Sequence, residues 1–253
     1  MRVLLSIVMP AYNEEACIEA VVTLWTSFLT QHFPTEPTRL IVVNDGSKDN
    51  TGAILDRIKP NFPALVVVHQ PNGGHGNAVV HAYRQAVAIG SEFIFQTDSD
   101  DQFVPDDFLK LWAKRHQSPF ILGCREVRYD APARLVITRI LRLTLFLIYG
   151  TYIKDSNIPF RLIEGTYLKR LLAQLPTPTP FAPNIFLAVM ARKAGNDLFN
   201  IPVTHKERLT GEVSILKWKL LKVCVQSFKE LARFRLELGQ KVAALQRPEP
   251  VYQ

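Results

Sequence analysis

Cysteine, histidine and long apolar runs are all scarce in this chain. Three cysteines (Cys17, Cys124, Cys224) lie far apart in 253 residues. They have neither the number nor the spacing of a disulfide framework or a thiolate metal site, so reduced cytosolic thiols are the expectation. Of the six histidines, His75, His81 and His116 show no ligand spacing with another histidine or with a cysteine. No window of ~18 uncharged apolar residues occurs, so no bilayer-spanning helix is expected. The nearest approach, residues 143–153, is too short. The apolar stretch at residues 3–9 runs straight into Pro10-Ala11-Tyr12-Asn13-Glu14-Glu15 with no small-residue cleavage pattern, which argues against a signal peptide. Disordered or low-complexity sequence is missing as well: charged residues make up 21% and aromatics 10%, as in ordinary globular chains.

What is present is an uneven charge. The formal net charge is +7, which by itself fits nucleic acid, an anionic membrane or a phosphorylated substrate. Residues 1–124 carry a net −4 and residues 125–253 a net +11. A split by chain half indicates a division of labour, not a uniformly basic binder.

The first half alternates short apolar runs with helical patterns. Strands are expected at residues 3–9, 39–44, 65–69 and 92–97, and helices at 14–29, 49–58 and 77–89. This rhythm implies an α/β fold with a mostly parallel, wrapped sheet and flanking helices. Ligands then bind at the carboxyl ends of the strands. Four chemically unusual loops converge there. They are Pro10-Ala11-Tyr12-Asn13-Glu14, Asp45-Gly46-Ser47-Lys48-Asp49-Asn50-Thr51, Asn72-Gly73-Gly74-His75-Gly76-Asn77-Ala78 and Asp98-Ser99-Asp100-Asp101-Gln102.

Three carboxylates in four residues repel one another, and a folded site needs a cation to compensate. Asp98 and Asp100, with Gln102 as a neutral oxygen ligand, suit Mg²⁺ or Mn²⁺ completed by substrate phosphates. The bland alternative is a solvated acidic turn leading into the next helix. The glycines of the third loop allow close backbone approach to a ligand. Gly74-His75-Gly76 supplies only two of the three glycines of a dinucleotide fingerprint, however, and sits on the wrong turn for one. Asp45 is placed to accept a hydrogen bond from a nucleobase N–H, uracil or guanine; otherwise it makes an Asx turn. Tyr12 and Glu14 either line a base or ribose pocket or begin a helix.

Taken together, Ser6-Ile7-Val8-Met9-Pro10-Ala11-Tyr12-Asn13-Glu14, Val43-Asn44-Asp45-Gly46-Ser47-Lys48-Asp49-Asn50-Thr51, Asn72-x-Gly74-x-Gly76-x-Ala78 and Asp98-x-Asp100-x-Gln102 resemble the four signatures of family 2 glycosyltransferases. These are inverting enzymes of the GT-A, or nucleotide-diphospho-sugar transferase, fold. The resemblance implies that Asp45 binds the nucleobase and that Pro10, Tyr12 and Glu14 line the nucleotide pocket. Asn72, Gly74 and Gly76 would complete the donor site, and Asp98, Asp100 and Gln102 would hold the metal and donor diphosphate. Further along, Gly123-Cys124-Arg125-Glu126-Val127-Arg128, Asp155-x-x-x-Pro159-Phe160-Arg161 and His205-x-x-Arg208-x-x-Gly211 are similar to the polyprenyl-phosphate branch, the dolichol-phosphate mannosyltransferase-like enzymes. That likeness makes Arg125, Arg128, Arg134 and Arg208 the phosphate-binding arginines, with Arg125 and Arg128 acting in catalysis beside Asp98 and Asp100. One position departs from the branch: Val213 stands where it usually has serine, and Ser214 follows.

The pattern of the second half agrees with a lipid-linked acceptor. On a helix, Arg134, Arg139 and Arg142 fall within about 140° of one another, and the rest of residues 135–148 is almost wholly apolar. That is an interfacial helix, or else a buried helix with a solvated edge. Residues 214–245 set Lys219, Lys222, Lys229 and Arg233 opposite Leu220, Leu221, Cys224, Phe228 and Leu231. This face can meet lipid, the catalytic domain or a second copy. The expected organisation is a catalytic domain over residues 1–212, with a nucleotide-sugar half at 1–124 and an acceptor half at 125–212 that includes the interfacial helix at 134–149. An amphipathic helical region follows at 213–247, then a frayed tail at 248–253.

The partners so implied are a nucleotide-diphospho-sugar donor, a polyprenyl phosphate acceptor and an anionic membrane surface at the cytosolic face. Nucleic acid is not needed to explain the charge; a homo-oligomer or a membrane-protein partner is left open. Rival readings are a soluble glycan or protein acceptor, a nucleotide-dependent oxidoreductase and a non-catalytic membrane adaptor. Residues 181–187, which would border the acceptor, contain no carboxylate to serve as a general base, in keeping with a phosphate acceptor.

Overall fold

The computed structural model describes residues 3–125, 132–207 and 217–246, with the backbone alone for 132–136 and 217–224. Alternation of buried strands and amphipathic helices produces β1 (Leu5–Ala11), α1 (Ile18–His32), β2 (Thr38–Asp45), α2 (Thr51–Ile58), β3 (Leu65–Gln70), α3 (His75–Ala88) and β4 (Phe93–Gln96). There follow α4 (Asp107–Trp112), β5 (Phe120–Arg125), α5 (Pro132–Tyr149), β6 (Arg161–Glu164), α6 (Gly165–Ala173), α7 (Pro183–Lys193), β7 (Ile201–Val203) and α8 (Lys217–Gln246). The four strands and three helices expected in the first half are all present.

The seven strands lie in the order β3-β2-β1-β4-β6-β5-β7. All pairings are parallel except those of β6, which runs antiparallel to β4 and to β5. The mostly parallel sheet is therefore as expected, with one reversed strand. Every residue of β1 is buried, which is the mark of a central strand covered on both faces. Its Pro10 lacks an N–H, yet costs no ladder bond on the β4 side, where pairing stops at Val8. The chain moves from β1 to β2 to β3 in one direction and returns over α3 to β4 on the other side of β1. That reversal opens a crevice at the carboxyl ends of β1 and β4.

An aromatic cluster locks α1 and α4 onto the sheet. Trp25 meets Phe95 at 5.6 Å, Phe28 meets Phe108 at 5.8 Å, and Phe95 meets both Phe108 and Phe160 at 4.7 Å. The helices α3, α6 and α7 pack together, and α8 lies against α7 and α5. On α8 the buried stripe is Leu231, Phe234, Leu238 and Leu245, and Phe234 packs edge-on to Phe186 at 5.0 Å. Of the apolar face read from the sequence, Leu231 packs on the domain while Phe228 is half exposed.

Gly165 shows how tightly α6 is seated. A Cβ there would lie 1.9 Å from the Ser91 carbonyl oxygen, a backbone atom that has no rotamer by which to escape. Gly165→Ala should therefore destabilise the fold by about 3 kcal/mol, read as a lower urea midpoint with an unchanged slope.

Candidate active site

The loops after β1 and β2 are built as one unit. Asn13, at φ 55°, donates its N–H to Ser47 Oγ (3.0 Å), and its Oδ1 accepts from the Lys48 N–H (2.8 Å). Glu14 N–H donates to Thr51 Oγ1 (2.8 Å), and Glu15 N–H donates to Asp49 Oδ2 (3.1 Å). Asp49 Oδ1 accepts from both the N–H and the hydroxyl of Thr51. Burial pushes the Asp49 pKa upward, but the hydrogen bonds from Thr51 and Glu15 outweigh it and hold the carboxyl below its usual value. Asn44 Oδ1 accepts from the Ser47 N–H and hydroxyl. The serine, second aspartate and threonine of this segment are thus architectural. These bonds also delay α1, which starts at Ile18 and not at residue 14.

Asp45 is the residue that this architecture presents. It ends β2 and is 3% exposed. Its Oδ1 accepts from Gln70 Nε2 (2.7 Å) and from the Gly73 N–H (2.8 Å), and Asn72 Nδ2 donates to its backbone carbonyl (3.0 Å). Asn72 therefore fastens the third loop to the second. Gly46, at φ 63°, brings its backbone so close to Asn72 that a Cβ would meet the Asn72 nitrogen at 2.6 Å.

The two glycines of the third loop have different reasons to be glycine. Gly74 has φ 83° with open space around it, which leaves its backbone approachable. Gly76 is pressed against the carbonyl oxygens of Pro180 and Phe181, 2.6 and 2.7 Å from an added Cβ. It joins α3 to the segment before α7, a packing reason that sequence alone did not reveal.

Asp98 follows β4, and its Oδ1 is buried without a hydrogen-bond partner among the described residues. Burial first, and then the neighbouring Asp100 carboxylate, push its pKa well above the usual carboxylate range; Arg125 opposes them. An orphaned buried oxygen beside a second carboxylate is a donor set that fits a hard divalent cation. No cluster of three or more acidic, histidine or cysteine side chains that could hold a metal exists among the described residues, so phosphates and water would supply most of the coordination.

Gln102 donates its N–H to Asp100 Oδ1 (3.3 Å) and its Nε2 to the Lys206 carbonyl (3.2 Å), while its own carbonyl accepts from the Lys206 N–H (2.8 Å). It ties the acidic loop to the segment that follows β7. Asp101, at φ 56°, does not join the other two carboxylates but turns out to Lys206 Nζ at 3.4 Å. Ser99 Oγ donates to the Pro10 carbonyl (2.8 Å), and Cys17 Sγ donates to the Ser99 carbonyl (3.4 Å) and to Glu14 Oε2 (3.4 Å). Pro10, Glu14 and the acidic loop thus meet at one edge, with the half-buried Tyr12 between them in sequence.

Arg125 ends β5 and faces Asp155 fork to fork, Nε to Oδ2 at 2.8 Å and Nη2 to Oδ1 at 2.9 Å. Asp155 is 4% exposed. This partner, missed as such in the sequence, fixes the guanidinium plane. Asp155→Asn leaves the cation half-compensated and should cost about 3 kcal/mol of stability, measured by denaturant titration. Arg161, on β6 beside Gln96, is fully buried and donates to the carbonyls of Ile158 (3.0 Å), Asn184 (2.9 Å) and Ser156 (3.3 Å). It anchors the start of α7 to the sheet.

Arg128, Arg208 and the Gly211–Ser214 segment lie outside the described residues, as does the Arg134 side chain. The carboxylate missing from residues 181–187 is supplied from elsewhere: Glu230 on α8 accepts from the Phe181 N–H (3.3 Å) through Oε2 and from Gln226 Nε2 (2.8 Å) through Oε1. Glu230 thereby ties α8 to the segment before α7.

The helix α5 is not buried all round. Ile140, Leu143, Phe146 and Leu147 are each more than half exposed, while Leu145 and Tyr149 are buried behind them. The Tyr149 hydroxyl donates to the Leu231 carbonyl of α8 (2.6 Å). Arg139 is exposed beside the apolar stripe. Arg142 instead stacks over the Tyr152 ring at 5.6 Å and donates to the Lys154 carbonyl (2.8 Å). No helix among the described residues is long and apolar enough to cross a membrane.

Comparison with known proteins agrees with this geometry. Residues 6–173 match the family model described as glycosyl transferase family 2. A UDP-N-acetylglucosamine–dolichyl-phosphate N-acetylglucosaminyltransferase of Methanococcus voltae is 28% identical over 192 residues, covering 68% of this chain and 74% of its own length. An undecaprenyl-phosphate 4-deoxy-4-formamido-L-arabinose transferase of Serratia proteamaculans is 24% identical over 219 residues, covering 85% of this chain and 64% of its own. This chain thus spans roughly two thirds to three quarters of those relatives.

Among solved structures, a mannosyltransferase from Pyrobaculum calidifontis in complex with GDP-Man and Mn²⁺ superposes with a TM-score of 0.60 at 18% identity, covering 97% of this chain and 73% of that one. A glucosyl-3-phosphoglycerate synthase from Mycobacterium tuberculosis, with Mn²⁺, UDP and its product, gives 0.63 at 18% identity, covering 91% and 79%.

Proposed function

The chain belongs to glycosyl transferase family 2 and has the GT-A fold, and from that premise we propose that it moves a sugar from a nucleotide-diphospho-sugar to a polyprenyl phosphate. It would work as a peripheral enzyme at the cytosolic face of a membrane. The observation that carries the lipid acceptor is the apolar face of α5. Among the described residues ten large hydrophobic side chains are exposed, and eight belong to α5, α8 or Tyr152. As α5 packs on α8, most of the exposed large hydrophobic side chains belong to this pair of helices. An exposed stripe of this kind, flanked by arginine, suits the headgroup boundary of a bilayer. The relatives named for dolichyl and undecaprenyl phosphate support the same acceptor class.

In this reading Asp45 accepts a hydrogen bond from the base, and the backbone at Gly74 approaches the donor. Asp98 and Asp100 would hold Mg²⁺ or Mn²⁺, with Gln102 at the rim. When bound, the cation neutralises the diphosphate and stabilises the nucleoside diphosphate as it leaves. Arg125, held by Asp155, and the arginines at 128, 134 and 208 bind the donor and acceptor phosphates. The acceptor phosphate is already ionised near neutral pH, so it attacks the anomeric carbon in line without a general base, giving inversion. A hydroxyl acceptor would need a general base, and residues 181–187 contain no carboxylate.

Radiolabelled UDP- and GDP-sugars, offered with Mg²⁺ or Mn²⁺ and with undecaprenyl or dolichyl phosphate, test the proposal. Label moving into the organic phase from one donor is the expected result. Label that stays aqueous with every donor contradicts it.

A further inference from the structure

Gln70 closes β3 with its side-chain amide between Asp45 and His81. The proton positions follow from chemistry. An ionised carboxylate can only accept, so the amide edge 2.7 Å from Asp45 Oδ1 must be Nε2. Gln70 Oε1 then faces His81 Nδ1, which must carry a proton to donate. On its other side, His81 Nε2 pairs with the Gln85 side-chain amide at 3.0 Å. This orientation of the Gln70 amide satisfies Asp45 and His81 together.

Its consequence falls on Asp45. With the Gly73 N–H at 2.8 Å as a second donor, both lone pairs of Oδ1 are taken. Oδ2 takes part in none of the hydrogen bonds of Asp45 among the described residues. The carboxylate therefore offers a base one oxygen and not two. Guanine presents adjacent N1–H and N2 amino donors, which pair best with both oxygens of a carboxylate. Uracil presents a single imide N–H between two carbonyls and needs only one.

Resting on the proposed role of Asp45 as the base acceptor, we infer that the relay Gln85–His81–Gln70 sets Asp45 for a uracil nucleotide, making Gln70 a positioning residue for donor selection. Among the described residues the side chains of Gln70 and His81 hydrogen-bond only to Asp45, to each other and to Gln85, so the relay should act on nucleotide affinity and not on turnover.

Calorimetric titration of the full chain with UDP and with GDP, in the presence of Mn²⁺, tests this. UDP should bind about tenfold more tightly than GDP. Gln70→Ala and His81→Ala should each weaken UDP about tenfold and narrow that ratio, with KM for the donor rising and kcat held. His81→Asn, whose amide nitrogen can replace the Nδ1–H donor, should retain the wild-type preference; this rescue separates positioning from general loss of structure. GDP binding as tightly as UDP, or an unchanged ratio in Gln70→Ala and His81→Ala, overturns the inference. Asp45→Ala keeps the two levels apart. If it abolishes binding while GDP is preferred, the base site stands and the relay falls. If neither nucleotide binds the wild-type chain, both fall.

Discussion

Replacing Asp100 with alanine is expected to lower sugar transfer by about a thousandfold or more, with little change in melting temperature. The structure supplies the reason for both halves of that result. Asp98 has a buried oxygen with no hydrogen bond among the described residues, and burial and Asp100 together disfavour its charge. A cation relieves both penalties at once, but only if two carboxylates remain to hold it. Asp100 is half-buried on a loop, so its loss removes little packing. If the acidic loop were only a solvated turn before α4, the same variant would transfer sugar at close to the wild-type rate. Initial rates across a range of Mn²⁺ concentrations distinguish these outcomes, because extra metal does not restore a missing ligand.

Changing Leu143, Phe146 and Leu147 together to serine is expected to reduce association with anionic liposomes by about a hundredfold or more. Each side chain contributes roughly 1.5–3 kcal/mol when fully removed from water, and all three are exposed on one side of α5. They make no contribution to the core that would be lost, so denaturation midpoint and nucleotide binding should stay near wild type. Transfer to a lipid acceptor in vesicles should fall with the binding. Flotation on a density gradient measures the first effect; a triple variant that floats as well as the parent contradicts the assignment of this face.

The sequence carried the first half of the fold well, because each buried strand is a run of apolar residues ending in a chemically distinctive loop. It also placed Asp45, Asp98 and Asp100 at one sheet edge, where the structure has them. It did not separate residues that face the crevice from those that brace it. Ser47, Asp49 and Thr51 look as functional as Asp45 in one dimension, yet their hydrogen bonds go to the neighbouring loop.

The reversed strand β6 was not legible, since its four residues include a fully buried arginine. Arg161 is tolerated there because backbone carbonyls surround it: Ser156 and Ile158 from the turn just before the strand, and Asn184 from the start of α7. Asp155, Gln70 and Glu230 were missed as partners because each acts on a group far along the chain, 30, 25 and 49 positions away respectively. On α8 the period showed an apolar face but not what would cover it, because periodicity does not say where a neighbouring helix makes contact; Leu231 is buried and Phe228 half exposed.

The central claim is that a lipid-linked phosphate accepts the sugar. One comparison tests it most directly: the purified chain, a labelled nucleotide sugar and Mn²⁺, offered in parallel polyprenyl phosphate, the corresponding free polyprenol and a water-soluble glycan. The account predicts a labelled lipid from the phosphate, and none from the alcohol or the glycan. A labelled glycan with no labelled lipid phosphate would contradict it.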